Sequence, residues 1–215
     1  PNSVKSLGWG NFSGCKALVS VTLGTGITEI EGYTFQGCTS LKSIIIPHNI
    51  KTIESSSFDG CTNLKSIKIP YTVKEIGDHA VGYSLDYNTW EYKKIKGVKI
   101  YGKKGSAAQT YAKDNGFTFV AVSAPGKTKL KTIKNASTGV TLTWSEVKKA
   151  EYYEIYRKVK GGDYKYIGRT TKESYTDKTA KSGKKYYYKV RSVNAAGKAD
   201  FTSAKSILFL DNPTL

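Results

Sequence analysis

Apolar residues return along the first eighty positions at a step of 23. Cys15, Cys38 and Cys61 keep that step, as do Phe12, Phe35 and Phe58, and Leu18, Leu41 and Leu64. Other columns follow it: Val4, Ile27, Ile50 and Val73; Leu7, Ile30, Ile53 and Ile76; Val21, Ile44 and Ile67; Leu23, Ile46 and Ile69. A unit this short cannot enclose a core by itself, so successive copies must stack and share one, and residues 1–82 are read as a solenoid. Within a copy, Leu-x-x-Ile-x-Ile-Pro, as at 64–70, predicts a short strand with alternate residues inward. Proline ends it because it has no N–H to give a ladder. The next segment, Val73-Lys74-Glu75-Ile76, points two apolar residues inward, and a Phe-x-Gly-Cys turn closes the coil.

The rhythm fades after Gly82. Tyr83, Tyr87, Trp90 and Tyr92 fall outside the repeat spacing, and covering the solenoid's end is their expected role. Val98–Tyr101 is strand-like, and Ser106-Ala107-Ala108-Gln109 has the form of a capping box. With Gly116 as a C′ glycine it brackets a helix of about ten residues. Phe117–Val122 reads as a strand, so residues 83–122 are taken as a cap. A linker-like Ser123-Ala124-Pro125-Gly126 comes next. Short alternating segments then include Gly139–Trp144, Glu151–Lys158, Tyr164–Arg169, Tyr186–Val193 and Ala204–Phe209, the pattern of a β-sandwich or barrel. Trp144, Tyr153, Ile155, Tyr186, Tyr188, Val190 and Ser192 form its expected inward face.

Two resemblances arise from these residues. The repeat Phe-x-Gly-Cys-x-x-Leu-x-x-Ile-x-Ile-Pro-x-x-Val-x-x-Ile resembles the BspA-like leucine-rich repeats of bacterial surface proteins over three successive copies. The strand, helix and strand of 83–122 resemble the unit that closes such solenoids. Residues 123–210 resemble a fibronectin type III domain in Thr143-Trp144, in Gly183-x-x-Tyr186 and in the run from Tyr186 to Gly197. The resemblances imply a mainly β protein. Its first part, 1–122, is a leucine-rich-repeat solenoid (repeats 1–82) with a small α/β C-terminal cap (83–122). Its second, 123–215, is an immunoglobulin-like fibronectin type III β-sandwich. They also imply that Tyr186 is the tyrosine-corner residue, its hydroxyl satisfying a backbone group at the strand crossing. Ala180 and Ser182 stand where that family carries Leu and Pro. The loop Asn194–Asp200 lacks Arg-Gly-Asp, so integrin-type adhesion has no support.

Charge narrows the partners. Basic residues outnumber acidic ones 34 to 17: seven to six in 1–82, seven to three in 83–122, and twenty to eight in 123–215. The excess belongs to the sandwich. It can steer the protein toward polyanions such as acidic glycans or cell-wall polymers, although a lysine-coated soluble surface is the plainer reading. No nucleic-acid-binding motif accompanies the charge. No apolar run approaches the ~18 residues that cross a bilayer. Residues 1–5 lack a signal peptide's apolar stretch, but methionine is absent and Pro1 is in phase with Pro47 and Pro70. The chain is therefore expected to be a segment of a longer protein, continuing before Pro1 into more repeats. Past the Asp211–Leu215 stretch, which repeats the strand-then-proline grammar of the first linker, another module is expected.

Candidate chemistry is sparse. Equivalent positions on adjacent coils lie ~4.8 Å apart, but the three cysteines point the same way, so a column of buried reduced thiols is expected. A zinc site needs convergent ligands, and His48 and His79 occupy different positions, both expected to be exposed. Gly8-Trp9-Gly10 and Gly102–Ser106 do not have the spacing of a phosphate-binding loop. No catalytic, cofactor-binding or metal-binding residue is assigned. Tyrosines 152, 156, 164, 166, 175 and 187 interleave with lysines; cross-strand pairing on a sheet face is their plain role, sugar binding the alternative.

These readings converge on a non-catalytic fragment of an extracellular or surface-attached bacterial protein. Its solenoid presents a shallow polar strip, Ser20, Ser43 and Ser66 beside Thr22, Ile45 and Lys68, with Tyr87 and Trp90 as a second candidate. Its sandwich acts as a spacer. The expected partner is a host or surface protein, a glycan or an anionic cell-wall polymer, and the chain is expected to be a monomer without cofactor. The alternative is a structural arm of a larger extracellular enzyme, with no ligand of its own.

Overall fold

A computed structural model describes residues 2–210, so Pro1 and the Asp211–Leu215 stretch lie outside the described residues. The chain divides into two compact units, Pro1–Val122 and Ser123–Leu215.

Each coil of the first unit contributes two short strands. These are β1 (Ser20–Thr22), β2 (Glu29–Ile30), β3 (Ser43–Ile45), β4 (Thr52–Ile53), β5 (Ser66–Lys68) and β6 (Glu75–Ile76); the second strands of the coils form one parallel sheet, β2-β4-β6, and of the first strands β1 pairs with β3. The 23-residue step survives as backbone register: Val21 pairs Ile44, and Ile30 pairs Ile53, which pairs Ile76. The inward side chains stack in the same way. Phe12, Phe35 and Phe58 stack with ring centroids 5.5 and 5.3 Å apart and nearly parallel planes. Each coil also needs two left-handed residues to close. One column is Gly14, Gly37 and Gly60, where the missing Cβ removes the steric cost; the other holds Gly10, Tyr33, Ser56 and His79 at φ values of 67, 57, 57 and 54°.

The thiols depart from expectation at one position. Cys38 and Cys61 are buried, and each Sγ donates to the carbonyl of a phenylalanine one coil earlier, Phe12 and Phe35, at 3.1 Å. Burial, with the neighbouring thiol adding to it, pushes both pKa values up. Cys15 is exposed instead. Among the described residues no coil precedes it, so its column position supplies an inward direction but no cover.

The cap is built from a hairpin, β7 (Tyr83–Asp86) and β8 (Glu91–Lys94), then β9 (Lys99–Gly102), α1 (Ala107–Asp114) and β10 (Thr118–Ala121). β9 and β10 form a parallel sheet with β5, Ser66 pairing Lys99 and Lys99 pairing Thr118, while β1 and β3 pair separately. The hairpin covers the turn of the last coil, where the Gly60 bond to Tyr83 repeats the one that Gly14 and Gly37 each make to the next coil. There Leu85 N–H donates to Asp59, Gly60 N–H to the Tyr83 carbonyl, and the Ser56 and Tyr92 hydroxyls meet at 2.8 Å, while the Tyr87 hydroxyl reaches back along the turn side to Gln36. α1 covers the last coil, burying Ala108, Tyr111 and Ala112, with the Tyr111 hydroxyl bonded to both the N–H and carbonyl of Val81. Its start is not the expected capping box. The Ser106 side chain makes no cap bond and is buried without a partner among the described residues, while Gln109 accepts from Gly105 N–H. Its end is a Schellman turn, Phe117 N–H to Ala112 O and Gly116 N–H to Lys113 O, with Gly116 at φ +65°.

The second unit is a sandwich of antiparallel sheets. β11 (Leu130–Ala136), β12 (Gly139–Trp144) and β15 (Ser174–Asp177) form one sheet, in the order β11-β12-β15. β13 (Tyr152–Val159), β14 (Lys165–Thr170), β16 (Lys184–Asn194) and β17 (Gly197–Lys198) form the other, with β18 (Lys205–Phe209) also on β16. Leu130, Val140, Leu142 and Trp144 meet Tyr153, Ile155, Tyr186, Tyr188, Val190 and Phe209 between them. The tyrosine corner is present: the Tyr186 hydroxyl accepts from Lys181 N–H at 3.0 Å. Asp177 is buried at the same layer and accepts from Arg157, Tyr188 and Thr179.

Candidate binding surfaces

Alternation along β1, β3 and β5 buries Ile44 and Ile67 and turns their neighbours outward. Ser20, Thr22, Ser43, Ser66 and Lys68 are exposed, and Ile45 is half-buried among them. Register sets Ser20 beside Ser43 and Thr22 beside Ile45, whereas β5 pairs with β9, which sets Ser66 beside Lys99 and Lys68 beside Tyr101. From β5 the strip runs on into the cap. Lys99 and Tyr101 were not anticipated, because the step from Ser66 to Lys99 breaks the 23-residue spacing.

Tyr87 and Trp90 stand elsewhere. They occupy the tip of the β7–β8 hairpin, 61% and 74% exposed, with ring centroids 6.1 Å apart in an edge-on pair. Trp90 has φ +58°, and its N–H closes the loop onto the Asp86 carbonyl. The Tyr87 hydroxyl accepts from Gln36, placing this tip on the turn side of the coils and not on the strand strip. At its base Lys93 lies 2.6 Å from Asp86, and that hydrogen bond holds the Asp86 carboxyl below its ordinary pKa.

Two concavities in the first unit also went unforeseen. One of about 430 Å³ lies on the second-strand array, with Trp9 and Tyr33 on one side and Glu54 and Glu75 on the other. The other, about 740 Å³, opens between the last coil and α1, where Lys74, Lys103 and Lys104 are balanced by Glu75, Asp78 and Asp114. Among the described residues no group of His, Cys, Asp and Glu could hold a metal. His79 stacks on Tyr92 at 3.8 Å and is half-buried, and His48 is buried against Tyr71, so neither has the exposure expected of it. Both serve packing.

The outward side of β13 and β16 has a different character. Register places Lys158 opposite Tyr187, Tyr156 opposite Lys189, and Glu154 opposite Arg191, so cation and ring alternate both along and across the strands. Lys158 Nζ lies 5.0 Å from the Tyr164 ring centroid. Lys189 Nζ lies 4.1 Å from Tyr164 and 3.9 Å from Phe201, and the Arg191 guanidinium 4.5 Å from Phe201. Glu154, the only acidic residue in β13, β14 and β16, is held by Arg191 at 2.7 Å and Lys198 at 2.9 Å. Burial alone would raise its pKa, but these two partners more than offset that and keep it below the ordinary value.

Against known proteins, residues 1–100 match the BspA-type leucine-rich repeat region in six copies. Residues 123–207 match the C-terminal domain of GH85 endohexosaminidases. The chain is a BspA-type leucine-rich repeat region joined to a fibronectin type III-like domain. Solved structures similar to this chain include the FN3tt mutant, 31% identical, covering 40% of this chain and 97% of its own, with a TM-score of 0.34. A Fn3-like protein from Clostridium thermocellum is 26% identical over 45% of this chain and 98% of its own, TM-score 0.34. A β-1,2-glucanase from Parabacteroides distasonis is 28% identical over 44% of this chain, TM-score 0.39, and the chain spans only 14% of that enzyme. No curated protein matches. A BspA-type repeat region with a fibronectin type III-like domain suggests a binding or spacer role. No helix among the described residues is long and apolar enough to cross a membrane.

Proposed function

We propose that the chain is a non-catalytic fragment of a secreted or surface-attached bacterial protein, in which the BspA-type solenoid presents its first-strand strip to a protein or glycan and the sandwich spaces it from its anchor. One observation carries this reading. The strands that bury Ile44 and Ile67 keep small hydroxyls, Ile45 and Lys68 outward, and β5 pairs on into β9 and β10, giving a shallow polar surface. A glycan and surface-protein array probed with the chain identifies the ligand. Ile45→Glu with Lys68→Glu then weakens capture of that ligand at an unchanged melting temperature, since both side chains point away from the core. Unchanged affinity moves the site off the strip.

A second reading has its own support. The match of 123–207 to a C-terminal domain of endohexosaminidases fits a structural arm that holds a glycan-cleaving domain and binds nothing itself. An array without a reproducible hit favours the arm.

A further inference from the structure

The second unit carries twenty basic against eight acidic residues, and the outward face of β13 and β16 is where the imbalance becomes local. Lys158, Lys185 and Lys189 have no carboxylate within ion-pair distance among the described residues, because the single acid of these strands is already engaged by Arg191 and Lys198. Lys189 is half-buried between Tyr164 and Phe201. Desolvation there, with Arg191 and Lys158 nearby, lowers its pKa, the mark of a cation that lacks a counterion.

We propose that this face is a binding surface for an acidic polysaccharide, whose carboxylates meet the ammonium groups of Lys158, Lys185 and Lys189. Three features select that partner. The site is an open sheet face, which suits an extended chain lying across strands. Along β16, Lys185 and Lys189 are about 13 Å apart, and Lys158 sits on the neighbouring strand opposite Tyr187, so the charges are spread along a line instead of gathered for one small anion. The rings are also occupied: Tyr164 carries the ammonium groups of both Lys158 and Lys189, and Tyr187 those of Lys158 and Lys185. A nucleic-acid strand needs bare rings on which to stack its bases. What this face offers an incoming chain is ammonium and hydroxyl groups, which match carboxylates and sugar hydroxyls. The cation–ring contacts pre-order long side chains that would otherwise lose rotamer freedom on binding. This surface is independent of the solenoid strip, so either can fail alone.

The test uses the whole chain with four probes: polygalacturonate as the acidic polysaccharide, dextran as a neutral one, polyglutamate as an acidic peptide and oligothymidylate as a nucleic acid. Lys158→Gln with Lys189→Gln is compared with Lys134→Gln and Lys172→Gln, an equal loss of charge at exposed positions away from the face. Polygalacturonate should bind in a salt-sensitive way, weaken roughly tenfold in the first pair and less than about twofold in the second, with both pairs melting like the parent. Dextran should not bind. The proposal is overturned by no binding of polygalacturonate, by equal losses in both pairs, which would show net charge without a site, or by polyglutamate or oligothymidylate binding as tightly through the same two lysines.

Discussion

Asp177→Asn removes one charge from the sandwich interior while keeping the side chain's shape. The carboxylate is 1% exposed and accepts from Arg157 Nη1 at 2.6 Å, the Tyr188 hydroxyl at 2.8 Å, the Thr179 hydroxyl at 2.7 Å and Thr179 N–H at 3.0 Å. An asparagine can keep its oxygen toward Thr179, but its NH₂ then faces the Arg157 guanidinium, which can only donate, and a Tyr188 hydroxyl that must turn to accept. Breaking a buried ion pair on one side costs about 3–5 kcal/mol. The Arg157 side chain is 21% exposed, so water reaches it in part and the expected loss is at the lower end, about 3 kcal/mol. Amide hydrogen exchange in β12 and β16, the strands that hold Leu142 and Val190, measures it: a loss of that size speeds exchange by about two orders of magnitude. Arg157→Met in the Asp177→Asn background should recover part of the loss, because it removes the stranded cation. The pH dependence has a definite sign. Burial would raise the pKa of Asp177, yet the hydrogen bonds from Thr179, Tyr188 and Arg157 more than offset it and hold the value below the ordinary 3.8. The stabilisation is therefore complete above the unfolded value of ~3.9 and is lost as pH falls through the folded one, so parent and variant converge in acid. Less than about a tenfold change in exchange, or a difference that persists in strong acid, would refute the reasoning.

Three other outcomes follow from the packing. A thiol reagent should label Cys15 quickly in the native protein and reach Cys38 and Cys61 only in denaturant; three fast thiols would contradict the burial of the last two. Tyr186→Phe removes the acceptor for Lys181 N–H and should lower the sandwich's stability by about 1 kcal/mol, read from its urea midpoint. An unchanged midpoint would deny the corner a structural role. Gly60→Ala puts a Cβ at a φ of +69° and 3.4 Å from the Gly37 Cα, and should cost about 1–2 kcal/mol in solenoid melting, with a neutral result ruling out the left-handed requirement.

The solenoid was legible because one side chain per column repeats the same burial, so Ile30, Ile53 and Ile76 report each other. The same logic misplaced Cys15. A column fixes direction, but cover depends on a neighbouring coil that periodicity does not supply. β11 and β15 went unnamed because Leu130–Ala136 and Ser174–Asp177 carry Lys, Thr, Asn and Ser at most positions, which leaves little alternation to detect. The Ser106 motif located the start of α1 but not the rotamer, which turns the hydroxyl into the protein instead of onto the helix N–H groups. The outward strip could be read from alternation within β1, β3 and β5, and its continuation to Lys99 and Tyr101 could not, because that pairing crosses the irregular hairpin. On the sandwich, the mixture of Tyr and Lys was visible in the sequence. That Lys158 faces Tyr187 and Tyr156 faces Lys189 depends on the register between two strands some thirty residues apart, and nothing local encodes it.

Core column, ladder register and turn conformation all advance by the same 23 residues, so the length of the solenoid is quantised. Joining Gly37 to Cys61 would remove one whole coil and leave every remaining phenylalanine, thiol and left-handed turn in phase with its new neighbour, whereas a deletion that is not a multiple of 23 would put them all out of step. The coil is thus a unit of measure. The outward surface can be lengthened or shortened by copying or dropping that unit without new packing being devised, and its chemistry can be rewritten at each step, as Ser20, Ser43 and Ser66 alongside Thr22, Ile45 and Lys68 already illustrate. Only the closing unit, with α1 laid over the last coil, has a fixed place in the count.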